Sequence, residues 1–201
     1  MAGIHNTAKI HAVRLFKTTA PTDEVGYGYP YYSSIDGLFH FLNEDGADVA
    51  LQSVLQVVSA VKTDSFSTSS ATYTDVTGLS VSITPKFASS RILVLAVIHA
   101  GADHTMHVRL VRGSTAVGVG DASSARVQSS TGSFYNADSN QIEVGTILFV
   151  DSPATTAATT YKVQMRTEAA ASTNYVNRSI SDVDSAASSR TISAIVAIEV
   201  A

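Results

Sequence analysis

Residues 78–101 read GLSVSITPKFASSRILVLAVIHAG, and the two halves of this stretch follow different patterns. In the first half Leu79, Val81 and Ile83 alternate with small hydroxyl residues, which is the period of a strand with one face in water. From residue 92 to residue 98 every side chain is apolar. The second half therefore predicts a buried strand, and its second face needs a cover of its own.

The rest of the chain has the same character. Short runs rich in β-branched residues are separated by Gly, Ser, Asp and Pro, and no long window repeats apolar residues at helical spacing. The predicted strands span residues 54–61, 72–76, 79–84, 91–99, 107–112, 116–119, 126–129, 142–150, 160–166, 175–180 and 191–200. A helix competes over residues 49–61, although the valine content there favours a strand. The pattern predicts an all-β fold, an antiparallel β-sandwich of jelly-roll type.

Two of the predicted strands show which face is buried. In TYKVQMR, Tyr161, Val163 and Met165 share one face and three polar side chains share the other, as in a strand between core and solvent. The closing segment TISAIVAIEVA is apolar on both faces, like residues 92–98. A chain with two such strands needs apolar contacts beyond one core.

The first 52 residues differ from the remainder. Tyrosines cluster in GYGYPYY at residues 26–32, where Pro30 argues against a central strand. The segment GLFHFLNEDGADVALQ predicts a hairpin that turns through NEDG. An isolated hairpin is marginal in water, so we expect a partner surface to hold it. We therefore predict an extended arm with a β-hairpin over residues 1–52, which docks onto a particle, and a β-sandwich domain over residues 53–201.

Composition limits the partners. The 201 residues carry a net charge of -4 with 13 scattered Lys and Arg, so there is no basic footprint for nucleic acid. No cysteine is present, and the first 16 residues lack the pattern of a secretory signal. The longest apolar run is far shorter than the ~20 residues of a membrane helix. We expect neither a nucleic-acid nor a membrane partner.

Motifs for chemistry are weak. His99, His104 and His107 lie in HAGADHTMH, but their spacing matches no zinc pattern, and a polar turn explains them better. The glycines of RGSTAVGVGD fit a hairpin rather than a phosphate loop, and no serine lies in G-x-S-x-G. We predict no catalytic residue, no metal, no cofactor and no enzyme.

Acidic pairs and a sequon also favour simple explanations. Asp182 with Asp184, and Glu44 with Asp45, offer paired carboxylates. The sequence around Asp182 and Asp184 predicts a loop before the final strand, in which they are solvated or form a turn. Asn177, Arg178 and Ser179 match a glycosylation sequon, which without a secretory signal is expected to be accidental.

The segments TDSFSTSSATYTDVTGLSVSITPKFASSRILVLAVI, GTILFVDSPATTAATTYKVQMRT and AIVAIEVA together resemble a β-sandwich domain that recurs in structural proteins of tailed bacteriophages. The upstream GYGYPYYSSIDGLFHFLNEDGADVALQ resembles the short hairpin module near the N-termini of phage fibre and head-surface proteins. The resemblance covers roughly residues 26–201.

This resemblance implies a homotrimeric virion protein, which is assembled in the host cytoplasm and lies at the virion surface. Its arm would contact the major capsid protein or another virion protein. The chain has no coiled coil or β-helix repeat, which favours a capsid-decorating or cementing protein, or a short head fibre. The candidate docking residues are the aromatic side chains of the arm: Tyr27, Tyr29, Tyr31, Tyr32, Phe39 and Phe41.

The alternative is a tail fibre or adhesin that binds carbohydrate on the host surface. Loops at residues 121–124 and 129–140 are the candidate contact region, where Phe134 and Tyr135 offer rings for stacking on a sugar.

Overall fold

The structure, a computed structural model, describes residues 17–18, 29–33, 39–42, 48–50, 54–168, 172–186 and 188–200. The chain divides into two compact units, Met1–Ser53 and Val54–Ala201. All regular structure in the described residues is β-strand, and every strand pair of the second unit is antiparallel. The predicted all-β class with antiparallel sheets is confirmed. The roles assigned to the two parts stay predictions.

The first unit holds a four-stranded sheet. In order across the sheet, its strands are β1 (Lys17–Thr18), β2 (Tyr29–Ser33), β3 (Phe39–Leu42) and β4 (Asp48–Ala50). β3 and β4 form the predicted antiparallel hairpin, with Phe41 opposite Val49. β2 lies between β1 and β3, so the argument from Pro30 against a central strand is wrong. β1 pairs only with Tyr32 and Ser33 of β2, so Pro30 needs no N–H for that ladder.

The second unit begins with β5, and this strand settles the competition between helix and strand over residues 49–61. Its strands are β5 (Val54–Lys62), β6 (Phe66–Thr68), β7 (Thr74–Ile83), β8 (Arg91–Ala102), β9 (Met106–Arg112), β10 (Thr115–Val117), β11 (Thr131–Phe134), β12 (Glu143–Asp151), β13 (Thr159–Thr167), β14 (Asn174–Val176) and β15 (Ser193–Val200).

Most strand predictions hold, with three differences. β7 joins two predicted strands into one that runs through Gly78 at a φ of 88°. The strand predicted at 126–129 is wrong, because those residues lie in the connection between β10 and β11. β6 and β11 were not predicted. They are short and rich in hydroxyl residues, and they form because β14 and β9 offer them a free edge.

The long strands of the second unit make two sheets. Sheet 1 has the order β5-β15-β8-β14-β6, and β12 pairs with the opposite edge of β8. Sheet 2 has the order β10-β9-β13-β7, and β11 also pairs with β9. β8 is long enough, at 12 residues, to pair with β15 over one part and with β14 over another.

One apolar core draws on both sheets. Leu79, Val81 and Ile83 of β7 are buried while the hydroxyl residues between them are exposed, as predicted. Tyr161, Val163 and Met165 of β13 are buried in the same way. From sheet 1, the core takes alternate residues of β8 and β15: Ile92, Val94, Ala96, Ile98, Ile195 and Ala197, each with no exposed area. Alternation explains this arrangement, since only every second side chain of a strand can enter one core.

Buried polar groups fix the ends of the sheets. Asp151, at the end of β12 in sheet 1, accepts hydrogen bonds from the Tyr161 hydroxyl at 2.6 Å and from Arg112 Nη1 at 2.8 Å, both in sheet 2. Burial and the hydrogen bond to Asp151 raise the pKa of Tyr161, so its hydroxyl stays protonated and donates. This cluster links the two sheets through directional hydrogen bonds, which apolar contacts in the core cannot provide.

A second buried acid holds a connection in place. Glu199 of β15 has no exposed area, and its carboxylate accepts hydrogen bonds from the backbone N–H of Lys86 at 2.6 Å and from Gln56 Nε2 at 2.5 Å. Lys86 lies between β7 and β8, and Gln56 lies on β5. One carboxylate therefore ties three segments of the chain together.

Candidate interaction surfaces

The outer face of sheet 1 is apolar across four neighbouring strands. We call this surface the apolar face; it consists of the outward side chains of β5, β15, β8 and β12. Its apolar members are Val57, Val61, Val196, Ile198, Leu93, Leu95, Val97, Val144, Leu148 and Val150. Ordinary exposed sheet faces alternate apolar-in with polar-out, so this face departs from the rule for a strand in water.

Strand register makes the apolar face continuous. Leu95 of β8 lies opposite Val196 on one side and opposite Leu148 on the other. One row along, Leu93 lies opposite Ile198 and Val150, and Ile198 in turn lies opposite Val57. Directly opposite side chains in a sheet contact each other, so these rows form one patch rather than scattered residues.

Much of this patch is open to solvent in the single chain. Leu148 is 68% exposed, Val57 57%, Val61 56%, Val150 50% and Leu95 37%. Contiguous exposed apolar residues of this kind mark the largest apolar patches of ordinary monomers, which are often functional. The sequence predicted that both faces of residues 92–98 are out of water. In the structure the inner face is buried, but the outer face is partly exposed, with Leu95 37% exposed.

A polar groove lies at the outer side of sheet 2. We call it the loop groove; it has a volume of about 610 Å³. Its walls are the start of β9, the strand β11, the connection of residues 118–130 and the residue that follows β13. The polar side chains that matter for its chemistry are those of Thr105, His107, Asp121, Arg126, Thr131 and Glu168. The groove thus unites parts of both loops that the sequence marked at 121–124 and 129–140.

His107 is the half-buried member of the groove. Burial and the charge of Arg166 lower the pKa of His107, while Glu168 acts in the opposite direction. The imidazole is therefore neutral at pH 7 and offers one donor and one acceptor.

The two predicted glycan-contact rings take different positions. Phe134 is 4% exposed and belongs to the core, where its ring fills the space beside Gly145 of β12. A ring in this position has no face free for a sugar. Tyr135 is 60% exposed and keeps the predicted role as a possible contact. The sequence placed both in one loop because it could not show that β11 ends by turning Phe134 inward.

The candidate docking residues of the arm fall mostly beyond what the structure describes. Tyr27 lies outside the described residues. The other five belong to the paired strands β2 and β3, with Tyr32 opposite Phe39, and their side chains lie outside the described part of the structure. Their docking role stays a prediction.

The histidines do not converge. His99 lies on β8, His104 lies in the turn with Nδ1 3.5 Å from the Asp103 carboxylate, and His107 lies on β9. Within residues 54–168, 172–186 and 188–200, no group of three or more His, Asp or Glu is arranged to hold a metal ion.

The remaining sequence motifs have structural roles. Asp182 lies in a turn at a φ of 46° and pairs with Arg190 at 2.7 Å and with Arg178 at 3.4 Å. Asn177 of the sequon is 1% exposed, and its Nδ2 donates to the carbonyl oxygens of Lys62 and Asp64. An amide in this position is inaccessible to a glycosyl donor, as the accidental-sequon interpretation requires. Glu44 and Asp45 lie outside the described residues.

No helix in the described part of the chain is long and apolar enough to span a membrane. No protein-family model matches the chain, and a comparison with curated proteins finds no match either.

Proposed function

We propose that this chain is a structural protein of a tailed-bacteriophage virion, and that it associates with copies of itself through the apolar face. The proposed form is a homotrimer at the particle surface, either a capsid-decorating or cementing protein or a short head fibre. The apolar face is the observation that carries the proposal. The resemblance of residues 26–201 to phage structural domains supplies the virion context.

Strand pairing supports the finer fold assignment. β5 pairs with β15, β7 with β13, β8 with β12, and β9 with β10, so the pairs are nested with the first strand against the last. Nested pairs of this kind arise when one long hairpin is wound into two sheets, as in a jelly roll. We therefore assign the second unit as a jelly-roll β-sandwich, an architecture used by viral capsid proteins and lectins.

A second copy is the occupant that fits the apolar face best. A standard interface buries about 800 Å² on each partner, and the apolar face offers a continuous surface that spans four neighbouring strands. The face runs over four strands and presents mainly aliphatic side chains. Obligate interfaces between identical subunits are apolar in this way.

In this proposal the chain self-associates through sheet 1, and the arm is the part that contacts the particle. In the proposed arrangement the aromatic residues of β2 and β3 contact the major capsid protein or another virion protein. A docking arm and a separate self-association face would give one chain the two contacts that a decorating protein needs.

The mass of the full-length protein in solution tests the assembly step. Light scattering or native mass spectrometry should give three times the mass of one chain at micromolar concentration. A monomer at that concentration would contradict the proposed self-association.

The particle tests the virion assignment. The protein should co-sediment with purified virions of the phage that encodes it, and its absence from them would sink the assignment. If it cements the capsid, virions without it should release their genome at a lower temperature. Unchanged release would restrict the role to display.

A further inference from the structure

The connection of residues 118–130 is built as a wall of the loop groove. It joins β10 to β11 without a strand of its own, and connections longer than about 12 residues are usually functional when they are ordered. Gln128 Nε2 donates to the carbonyl of Gly120 at 2.7 Å, and the Gly120 N–H donates to the carbonyl of Ser129 at 3.2 Å. These bonds close the connection on itself.

Tyr73 anchors this wall to the sheet. Its hydroxyl donates to the carbonyl of Gln128 at 2.8 Å, and its ring lies 3.9 Å from the guanidinium carbon of Arg109 on β9. Arg109 in turn donates to Gln164 of β13 at 2.9 Å. The groove therefore has a fixed shape before any ligand enters, which lowers the ordering cost of binding.

Several polar groups of the groove are unused by the fold. In the part of the chain that the structure describes, the carboxylates of Asp121 and Glu168 make neither a hydrogen bond nor an ion pair. The neutral imidazole of His107 and the hydroxyl of Thr131 lie in the same lining. Carboxylates accept only, whereas the imidazole and the hydroxyl both donate and accept.

These groups select a ligand class. An apolar ligand would leave the carboxylates, the imidazole and the hydroxyl groups of the lining without partners. An anionic ligand meets two carboxylates, while the single lining guanidinium, Arg126, is already bonded to Ser123 Oγ at 3.0 Å. A ligand with adjacent hydroxyl groups fits better, because each hydroxyl can both donate and accept a hydrogen bond and the groove offers both donors and acceptors. The volume lies within the range of small-ligand sites, about 300–1,000 Å³.

We propose that the loop groove binds an uncharged glycan, with Asp121 and Glu168 accepting hydrogen bonds from its hydroxyl groups. This activity goes beyond the structural role proposed above, and it adds a sugar-binding site to a protein held at a particle surface. It also moves the contact from Phe134, which is buried, to polar side chains of the groove.

An array that carries both neutral and acidic oligosaccharides, probed with the full-length protein, tests the proposal. Neutral hexose or N-acetylhexosamine glycans should bind, and a titration of the best-bound oligosaccharide should give a measurable Kd. Asp121→Ala and Glu168→Ala should each weaken that binding at least tenfold. Both side chains are exposed, so the melting temperature should not change.

Asp184→Ala is the matched control, because Asp184 is an exposed carboxylate in a separate loop that the groove does not include. It should bind like the unaltered protein. Absence of neutral glycan binding, binding of acidic glycans alone, or equal loss in the Asp184 variant would each overturn the proposal. The solution mass is measured independently, so failure of glycan binding leaves the assembly proposal standing.

Discussion

The two sheets of the second unit have similar inner faces and opposite outer faces. On sheet 2, Lys162 Nζ lies 2.7 Å from Asp75 Oδ2, and Gln164 donates to the other oxygen of the same carboxylate. On sheet 1 most of the outer positions are valine, leucine or isoleucine, and Ser59, His99 and Thr146 are polar exceptions. Both sheets contribute apolar side chains to one core, so burial in that core does not explain the difference between the outer faces. The self-association proposed above would account for the apolar outer face of sheet 1.

The largest expected effect comes from a charge on the inner side of sheet 1. Val94→Asp places a carboxylate at a position with no exposed area, among apolar neighbours that offer no partner. The cost should be on the order of 5 kcal/mol, enough to unfold the second unit. Circular dichroism and melting should show loss of the fold. Ser80→Asp, on the outer face of sheet 2, should leave both unchanged, and a stable Val94→Asp protein would refute the buried-strand interpretation.

A charge on the outer side of sheet 1 should act differently. Val97→Asp and Leu148→Asp lie on the apolar face, where a carboxylate is tolerated in a single chain but not in a desolvated contact. We expect the mass to fall to that of one chain while the strand content stays. Ser82→Asp, the matched change on sheet 2, should keep the oligomer. An oligomer that survives both substitutions would remove the apolar face as the self-association surface.

The buried acid of sheet 1 should have an intermediate effect. Burial alone would raise the pKa of Glu199, but hydrogen bonds from Gln56 and the backbone of Lys86 and Phe87 outweigh it, so the pKa is lowered. In Glu199→Gln the amide NH₂ replaces a carboxylate oxygen that accepts a hydrogen bond, so two donors face each other. The unfolding free energy, measured by urea denaturation at pH 7, should fall by about 1–3 kcal/mol.

The pH dependence of this loss has a definite sign. Because folding lowers the pKa of Glu199, its stabilisation is fully present above the ordinary value of 4.5 and is lost as the pH falls through the folded-state value. The difference in unfolding free energy between the original protein and Glu199→Gln should therefore shrink below pH 4.5. A constant difference down to pH 3 would contradict the assignment of the effect to the ionised carboxylate.

The smallest effect should come from the outer face of sheet 2. Lys162 and Gln164 both bond to Asp75, and these hydrogen bonds lower its pKa, but its side chain is 50% exposed. Asp75→Asn should therefore reduce the unfolding free energy by less than about 1 kcal/mol and leave the mass unchanged. A loss comparable to that of Glu199→Gln would mean that the polar network matters as much as the buried acid.

Local sequence patterns predicted much of the fold. Alternation located the inner residues of β7 and β13, and the continuous apolar runs located β8 and β15 as strands with apolar residues on both faces. Short polar strands were beyond such reasoning, since TGSF and FST have no apolar period and depend on the edges of β9 and β14. Residues 126–129 contain one valine among polar residues, which is too short a pattern to identify a strand, and they were wrongly predicted as one.

The candidate surfaces were foreseen unequally. The excess of apolar residues in RILVLAVI and AIVAIEV already indicated a second buried face, and GTILFVD carries the same excess in β12. The loop groove gave a weaker signal, because its residues come from positions 105 to 168 and share no motif. Phe134 and Tyr135 are neighbours in sequence, yet at the end of β11 the first is buried and the second is exposed.

The sequence by itself determined that the chain is all-β and that some strands have more apolar surface than one core can bury, because side-chain alternation is a local property of a strand. Only the tertiary structure decided where that surplus lies. Strand order and register bring Val57, Ile198, Leu93 and Val150 into one row, and they bring Asp121 and Glu168 to one groove. Those placements depend on pairing between residues far apart in the chain, which no local pattern encodes.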